Sequence, residues 1–397
     1  MKFKRAKILL IFLLSIGVLF FSSDFGLIDI EKTSIITAIA VDFKDDEYEV
    51  SMEVAVPEAT DTNTENQKAL LTTTGKTVGS ALKNSSNQTG WFPKLAFCNL
   101  IILGEELAST NVIKVLDYFA KTLRIQDSAT LILAQGSAKE LLQTASPLDN
   151  IASFALQKIL LKNPGFDNDV ANVDIRTFCS GYYSYGSSAF MPIVKIIDQD
   201  DASGGEKTNG KGDDGSSQSG SNGTAPKNGK TVFDATTTAL FKNGVKVGEL
   251  DGDLTLAFNL LTKPANETLL EVNEVEGVNY LLTVITNKRK YKLCADNQGA
   301  NLSLSLDLYC KISDMNVPSD ITYVRNEPLP EKLKIKAQSD LKSRLEELVM
   351  TVKNTDCDFL GLKDRLYRFN HPYYAQYKDN LFSVIKTDVS VTVSGQK

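Results

Sequence analysis

The sequence predicts an α+β protein of more than one domain, with mixed and antiparallel sheets, helices packed on them, and a flexible Gly/Ser linker between two blocks. Three observations carry that prediction. Strict apolar alternation recurs in distant segments, at Tyr48, Val50, Met52, Val54 and Val56 and again at Leu302, Leu304, Leu306, Leu308 and Cys310. That is the period of a half-buried strand. Helical spacing appears between such segments, as in Val112, Ile113, Val115, Leu116, Phe119 and Leu123. Residues 202–230 hold eight glycines and five serines, with no Val, Ile, Leu, Met or aromatic residue. Burial cannot offset the ordering entropy of such a stretch, so it reads as a disordered linker. The expected division is residues 1–28 as a signal or membrane anchor, 33–198 as a first block of one or two subdomains, 199–231 as the linker, and 232–397 as a second block.

In the first block, residues 34–41 form an apolar strand ending at Asp42, and Lys44-Asp45-Asp46 makes the turn into the alternating strand at 48–56. Residues 60–67 are polar and read as a loop. Residues 77–82 begin a short helix. Residues 100–103 and 130–133 are short buried strands. Ser109 is placed to cap the helix that starts near Val112, and Ser137 precedes a short helix at 138–142. Residues 151–161 read as an amphipathic helix ending before Pro164. This β-β-α-β-α-β-α order predicts mixed sheets with helices on one side.

In the second block, Asn243-Gly244 between the apolar runs 236–241 and 245–250 is a strong hairpin signal. Strands are expected at 280–285 and 290–293, with Lys288-Arg289-Lys290 as the turn between them. Pro330 opens a long helix through about Val352, striped by Leu341, Leu345, Leu348, Val349 and Val352. A closing strand carries Val389, Val391 and Val393. The block reads as a twisted, mostly antiparallel sheet against one long helix.

Composition narrows the function. A chain of 397 residues suggests two or three domains. The net charge of −6 disfavours a nucleic-acid binder. One histidine, His371, excludes multi-histidine metal sites and reads as structural or surface. The five cysteines, Cys98, Cys179, Cys294, Cys310 and Cys357, form no C-x-x-C motif and read as free small hydrophobes, with a Cys294–Cys310 bridge left open. Gly229-Lys230-Thr231 and Gly75-Lys76-Thr77 lack the first glycine of a phosphate loop, since Thr224 and Leu70 stand there. Asp200-Asp201 and Asp213-Asp214 read as solvated charge. No catalytic residue, cofactor or metal ligand is expected. Tyr182, Tyr183, Tyr185 and Phe190, beside Gly181 and Gly186, read either as core packing or as a candidate interface patch.

The amino terminus carries Lys2, Lys4, Arg5 and Lys7 before an uncharged run at residues 8–21. A positive region before 14 apolar residues is the pattern of an export signal, with the remainder of the chain on the far side of the membrane. No small-x-small cleavage site closes the run, so an uncleaved anchor and a cleaved signal both remain open.

The order of segments resembles the C-subunit family of bacterial spore germinant receptors, the Ger(x)C or GerAC-type proteins. Asp29-Ile30 is similar to the Glu-Ile that follows that family's Cys-Trp-Asp start, and residues 37–42, Thr-Ala-Ile-Ala-Val-Asp, to the end of its first strand. The strand at 48–57 has the family's character. Residues 100–108, Leu-Ile-Ile-Leu-Gly-Glu-Glu-Leu-Ala, with Val115-Leu116-Asp117-Tyr118, resemble it best, and residues 134–142 fit the segment that follows. Residues 239–250 look like the family's hairpin. Residues 356–362, Asp-Cys-Asp-Phe-Leu-Gly-Leu, look like its Asp-x-x-Gly stretch after a long helix. The likeness covers about residues 30–397 apart from the linker. One departure matters: the family's lipidated cysteine falls near Asp24, and no cysteine precedes Cys98. Anchoring would then fall to residues 8–21.

The resemblance implies a non-enzymatic, membrane-anchored subunit on the outer face of the spore inner membrane, assembling with A-type and B-type receptor subunits. An anchored extracytoplasmic solute-binding protein is the main rival, and the flexible linker argues against its hinge closure. A spore-wall hydrolase would need paired carboxylates in a cleft, and nothing in the sequence points to such a pair.

Overall fold

A computed structural model of the chain describes residues 33–55, 68–122, 125–144, 151–160, 169–198, 231–265, 267–317 and 328–395, with Phe12, Ser15, Ser146 and Asp149 besides. The anchor at 8–21 (Phe12 and Ser15 apart), the lipidation position Asp24, the loop at 60–67 and the Gly/Ser segment with Asp200-Asp201 and Asp213-Asp214 lie outside the described residues.

Among the described residues, two sheets organise the fold. The first has nine strands: β1 (Thr33–Lys44), β2 (Glu47–Ala55), β3 (Lys68–Gly75), β4 (Phe92–Lys94), β5 (Leu100–Leu103), β6 (Thr130–Ala134), β7 (Ser188–Asp198), β8 (Thr231–Lys242) and β9 (Val245–Leu250). Their order is β3-β2-β1-β5-β6-β7-β8-β9, with β4 added beside the start of β1. Strands β1, β5, β6 and β7 run parallel, and antiparallel pairs flank them on both sides.

The β1–β2 hairpin forms as expected, with Asp45 and Asp46 both at positive φ in its turn. Its helices differ from the one-sided expectation. Helices α1 (Val78–Thr89), α3 (Ile113–Thr122) and α6 (Ile175–Tyr182) contribute to the core on one face, with Ile39, Val41, Ile101 and Leu131 of the sheet. Helices α4 (Ala138–Gln143) and α5 (Ala152–Leu160) pack with Ala38, Ala40, Leu100, Ile102 and Ile132 on the other. The reason is visible in the strands: every residue of β5 and β6 is buried. Parallel strands reached by helical crossovers are covered on both faces. Ser109 ends the short helix α2 (Glu105–Ala108), and Asn111 supplies the side-chain acceptor at the start of α3, for the Ile113 N–H.

The pair β8–β9 completes this first sheet rather than the second. Asp198 faces Thr231 in the β7–β8 register. The Gly/Ser segment therefore joins neighbouring strands of one sheet, and its composition no longer argues against hinge closure elsewhere. Passage to the second sheet runs through α7 (Gly252–Thr262), buried at every position from Leu254 to Leu261.

The second sheet holds β10 (Thr268–Val275), β11 (Val278–Asp296), β12 (Gly299–Met315) and β13 (Ile385–Gly395) in that order, with β12 and β13 parallel. Helix α8 (Glu331–Thr355) lays Leu341, Leu345, Leu348, Val349 and Val352 on this core, and α9 (Leu362–Phe369), α10 (His371–Tyr377) and α11 (Leu381–Val384) follow it. Lys288-Arg289-Lys290 is not a turn. It lies mid-strand in β11, with Lys288 opposite Asp307 and Arg289 opposite Leu306. The long partner strand β12 pairs with these residues, so β11 runs straight through a charged stretch.

All five cysteines are free, and no Cys294–Cys310 bridge forms. Cys294 faces Asn301, Cys310 faces Val284, and only Cys294 of the two is exposed.

Candidate functional site

Two places concentrate polar chemistry: the seam between the sheets and a groove at the carboxyl end of the parallel strands.

The seam is built on the Asp-Phe-Leu-Gly stretch after α8. Asp356 ends that helix in the left-handed region, and Gly361, at φ +68°, turns the chain into α9. Between them Asp358 folds back. Its carboxylate accepts the backbone N–H groups of Leu362 at 2.7 Å and Lys363 at 2.8 Å, so it satisfies the first turn of α9. Its own N–H donates to the Ser188 hydroxyl at 2.8 Å, and that hydroxyl donates to the Gly186 carbonyl at 2.8 Å. Burial pushes the Asp358 carboxyl up to about 6, against the pull of its two backbone donors. Gly186 must be small, because a Cβ there would sit 2.7 Å from the Asp358 side chain. The neighbouring Cys357 thiol donates to the Phe241 carbonyl, and burial pushes it up to about 12. Lys242 donates to the Gly186 carbonyl at 2.9 Å and lies 3.5 Å from Asp356.

The aromatic cluster belongs partly to this seam. Phe190 and Phe359 both meet the buried Phe258 ring edge to face, at 4.9 Å and 5.5 Å. Tyr185 stacks on Tyr367 at 4.2 Å and meets Tyr374 at 5.3 Å. His371 sits exposed against Tyr367 at 4.9 Å, in the structural or surface role its sequence context suggests. Tyr182 packs against the first core, and Tyr183 touches it at 4.9 Å while remaining 71% exposed. The partners Phe258, Tyr367 and Tyr374 do not stand out in the sequence, since each lies far along the chain, and Phe359 enters only as part of the 356–362 stretch.

The groove, of about 630 Å³, is lined by Asp42, Lys44, Glu49, Glu105, Glu106 and Lys139 among others. Four of these charged side chains already serve the fold. Asp42 accepts from Ser137 Oγ at 3.1 Å, Ala138 N at 2.8 Å and Lys139 N at 2.9 Å, capping α4. Lys139 bridges to Glu49 at 2.5 Å, and Glu105 accepts the Gly136 N–H at 2.8 Å. Among the described residues no three His, Cys, Asp or Glu side chains converge as a metal site would require.

Comparison with known families covers both blocks of the chain, the stretch that builds the seam included. The model described as the spore germination protein N-terminal domain matches residues 27–196, and the one described as spore germination B3/GerAC-like, C-terminal, matches residues 236–395. The chain belongs to the Ger(x)C family of spore germination proteins. The second match begins within β8, so the C-terminal GerAC-type region donates β9 and most of β8 to the sheet of the N-terminal region. The GerBC protein, known from a crystal structure, is 19% identical, with 93% of this chain and 99% of that one covered and a TM-score of 0.49. No curated protein matches the chain. The Ger(x)C family consists of germinant-receptor C subunits, not of known enzymes.

Proposed function

We propose that this Ger(x)C chain is a non-catalytic, extracytoplasmic receptor subunit, tethered at the spore inner membrane by residues 8–21 and docked on an A-type subunit and a transporter-like B-type subunit. One observation carries the reading: both halves of the family pattern occur in order, at 27–196 and 236–395. The seam supports it further, since it ties the two halves into one scaffold by hydrogen bonds and stacked rings. Tyr183 and the solvent edge of Tyr185 are the part of the aromatic cluster left for a partner. In this proposal the apolar run at residues 8–21 takes over the anchoring that a lipid-accepting cysteine near Asp24 would supply.

The test is a tagged pull-down from solubilised spore inner membrane. Near-stoichiometric recovery of one multi-helix transporter-like protein and one larger membrane partner is the expected result. Recovery of the chain alone, from a membrane holding those partners, would sink the proposal. Thermal stabilisation by a member of a nutrient panel would then favour a ligand-binding role for the groove.

A further inference from the structure

An aromatic patch surrounds the place where the chain enters the first sheet. Strand β4 lies parallel to the first residues of β1, with Thr33 beside Phe92, Ser34 beside Pro93 and Ile35 beside Lys94. Gly90, at φ +74°, ends α1 and swings the chain outward. Leu95 and Cys98 then point into the core, 4% and 0% exposed, and hold the segment in place. Trp91, Phe92 and Phe97 are left in solvent, 48%, 49% and 53% exposed, with Ile35, 40% exposed, on the strand beside them. Packing does not require four large apolar side chains at such positions. Exposed apolar groups clustered on one face mark an interaction surface.

Position and charge select the occupant. The apolar run ends at Phe21, and residues 22–32 separate it from Thr33. Fully extended, that spacer reaches at most about 40 Å. The end of the body closest along the chain to the tether is therefore the aromatic one. From Thr77 to Gly104 the sequence carries Lys83 and Lys94, both exposed, and no carboxylate, although the whole chain has a net charge of −6. The amphipathic Trp91 indole beside Lys94 suits the headgroup level of a bilayer containing anionic lipid, and the Phe92 and Phe97 rings add apolar area to enter it.

We propose that Ile35, Trp91, Phe92 and Phe97 seat the folded body on the lipid interface, with the parallel strands standing on the membrane. Their amino ends then face the bilayer, and the Asp42 groove at their carboxyl ends faces away from it. This inference rests on the membrane-tethered reading above and adds an orientation to it.

Trp91 is the only tryptophan in the chain, so its fluorescence reports the patch alone. The full-length chain is reconstituted into phosphatidylcholine vesicles containing phosphatidylglycerol. Flotation is measured beside Trp91 quenching by aqueous iodide and by phospholipids spin-labelled near the headgroup. The expected result is flotation, blue-shifted emission, strong lipid quenching and weak iodide quenching. A Phe92→Ser/Phe97→Ser variant should still float but lose lipid quenching and gain iodide quenching. Flotation with Trp91 open to iodide and not to lipid overturns the orientation and leaves the tether intact. Shielding from both quenchers that appears only when A-type and B-type subunits are added makes the patch a protein-docking surface, which also overturns it. Failure to float removes the tether and this inference together.

Discussion

The Asp358 backbone N–H donates to the Ser188 side chain at 2.8 Å across a sequence separation of 170 residues. The Ser188 hydroxyl in turn donates to the Gly186 carbonyl at 2.8 Å. One buried hydroxyl thus links the second half of the chain to the first. In Ser188→Ala the Asp358 N–H is left without its acceptor in a buried site. Unsatisfied buried groups cost about 1–3 kcal/mol, and urea unfolding should show a loss of that size. An unchanged midpoint would mean that the link contributes nothing to stability.

Asp358 also predicts a pH dependence. Its carboxyl titrates near 6 in the folded chain against an ordinary value of 3.8, chiefly because of burial. Proton binding is therefore tighter in the folded state. The stability that follows is present in full below 3.8 and is lost as pH rises through about 6. The shift corresponds to about 3 kcal/mol across that window. Asp358→Asn should flatten the stability–pH curve between pH 4 and 6 relative to the parent chain. Parallel curves for the two proteins would refute this assignment.

Gly186→Ala tests the same contact by volume. The added Cβ would lie 2.7 Å from the Asp358 side chain. Overpacking of a tight site costs about 1–3 kcal/mol. The expected outcome is a lowered Tm, with the Tyr185–Tyr367 stack disturbed and visible in near-UV circular dichroism.

At the far end of the first sheet, Asp42 accepts three donors from the start of α4. Asp42→Ala removes all three bonds and should cost about 1–2 kcal/mol, the range for loss of a helix cap. Hydrogen exchange should speed up in α4, residues 138–143, before the strands of the sheet respond.

Thiol chemistry should separate the five cysteines. Cys98, Cys310 and Cys357 are buried, and burial pushes each thiol up to about 12. Cys294 is exposed, and Cys179 is intermediate. Since the thiolate is the reactive form, maleimide at neutral pH should modify Cys294 first and Cys179 more slowly. The other three should react only after unfolding, as peptide mass spectrometry would show.

Much of the fold was legible because its signals are local. The Lys44-Asp45-Asp46 and Asn243-Gly244 turns, the Ser137 cap and the stripe on α8 all appear where their residues predict. Two features were not legible, each for a physical reason. Helix α7 is buried on all sides, so it shows no 3.6-residue period. Strand β11 carries Lys288, Arg289 and Lys290 because β12 pairs with it throughout, and pairing partners do not show in a local window. The burial of β5 and β6 on both faces did carry a readable sign, an unbroken apolar run, and it implies helices on both sides of the sheet. In the seam, Tyr185 and Phe190 stood out as aromatics, but their partners come from α7, α9, α10 and the loop after α8.

The pairing of Asp198 with Thr231 sets the entrance and exit of the Gly/Ser segment side by side, at the ends of two neighbouring strands. The closure cost of such an insertion grows only with the logarithm of its length, about 0.6 kcal/mol per doubling. Evolution can therefore lengthen, shorten or rewrite this stretch almost without consequence for the scaffold. An engineer can do the same. An epitope, a protease site or a fluorescent protein placed between residues 199 and 230 would serve as a handle at the β7–β8 strand ends and leave the aromatic patch and the seam untouched.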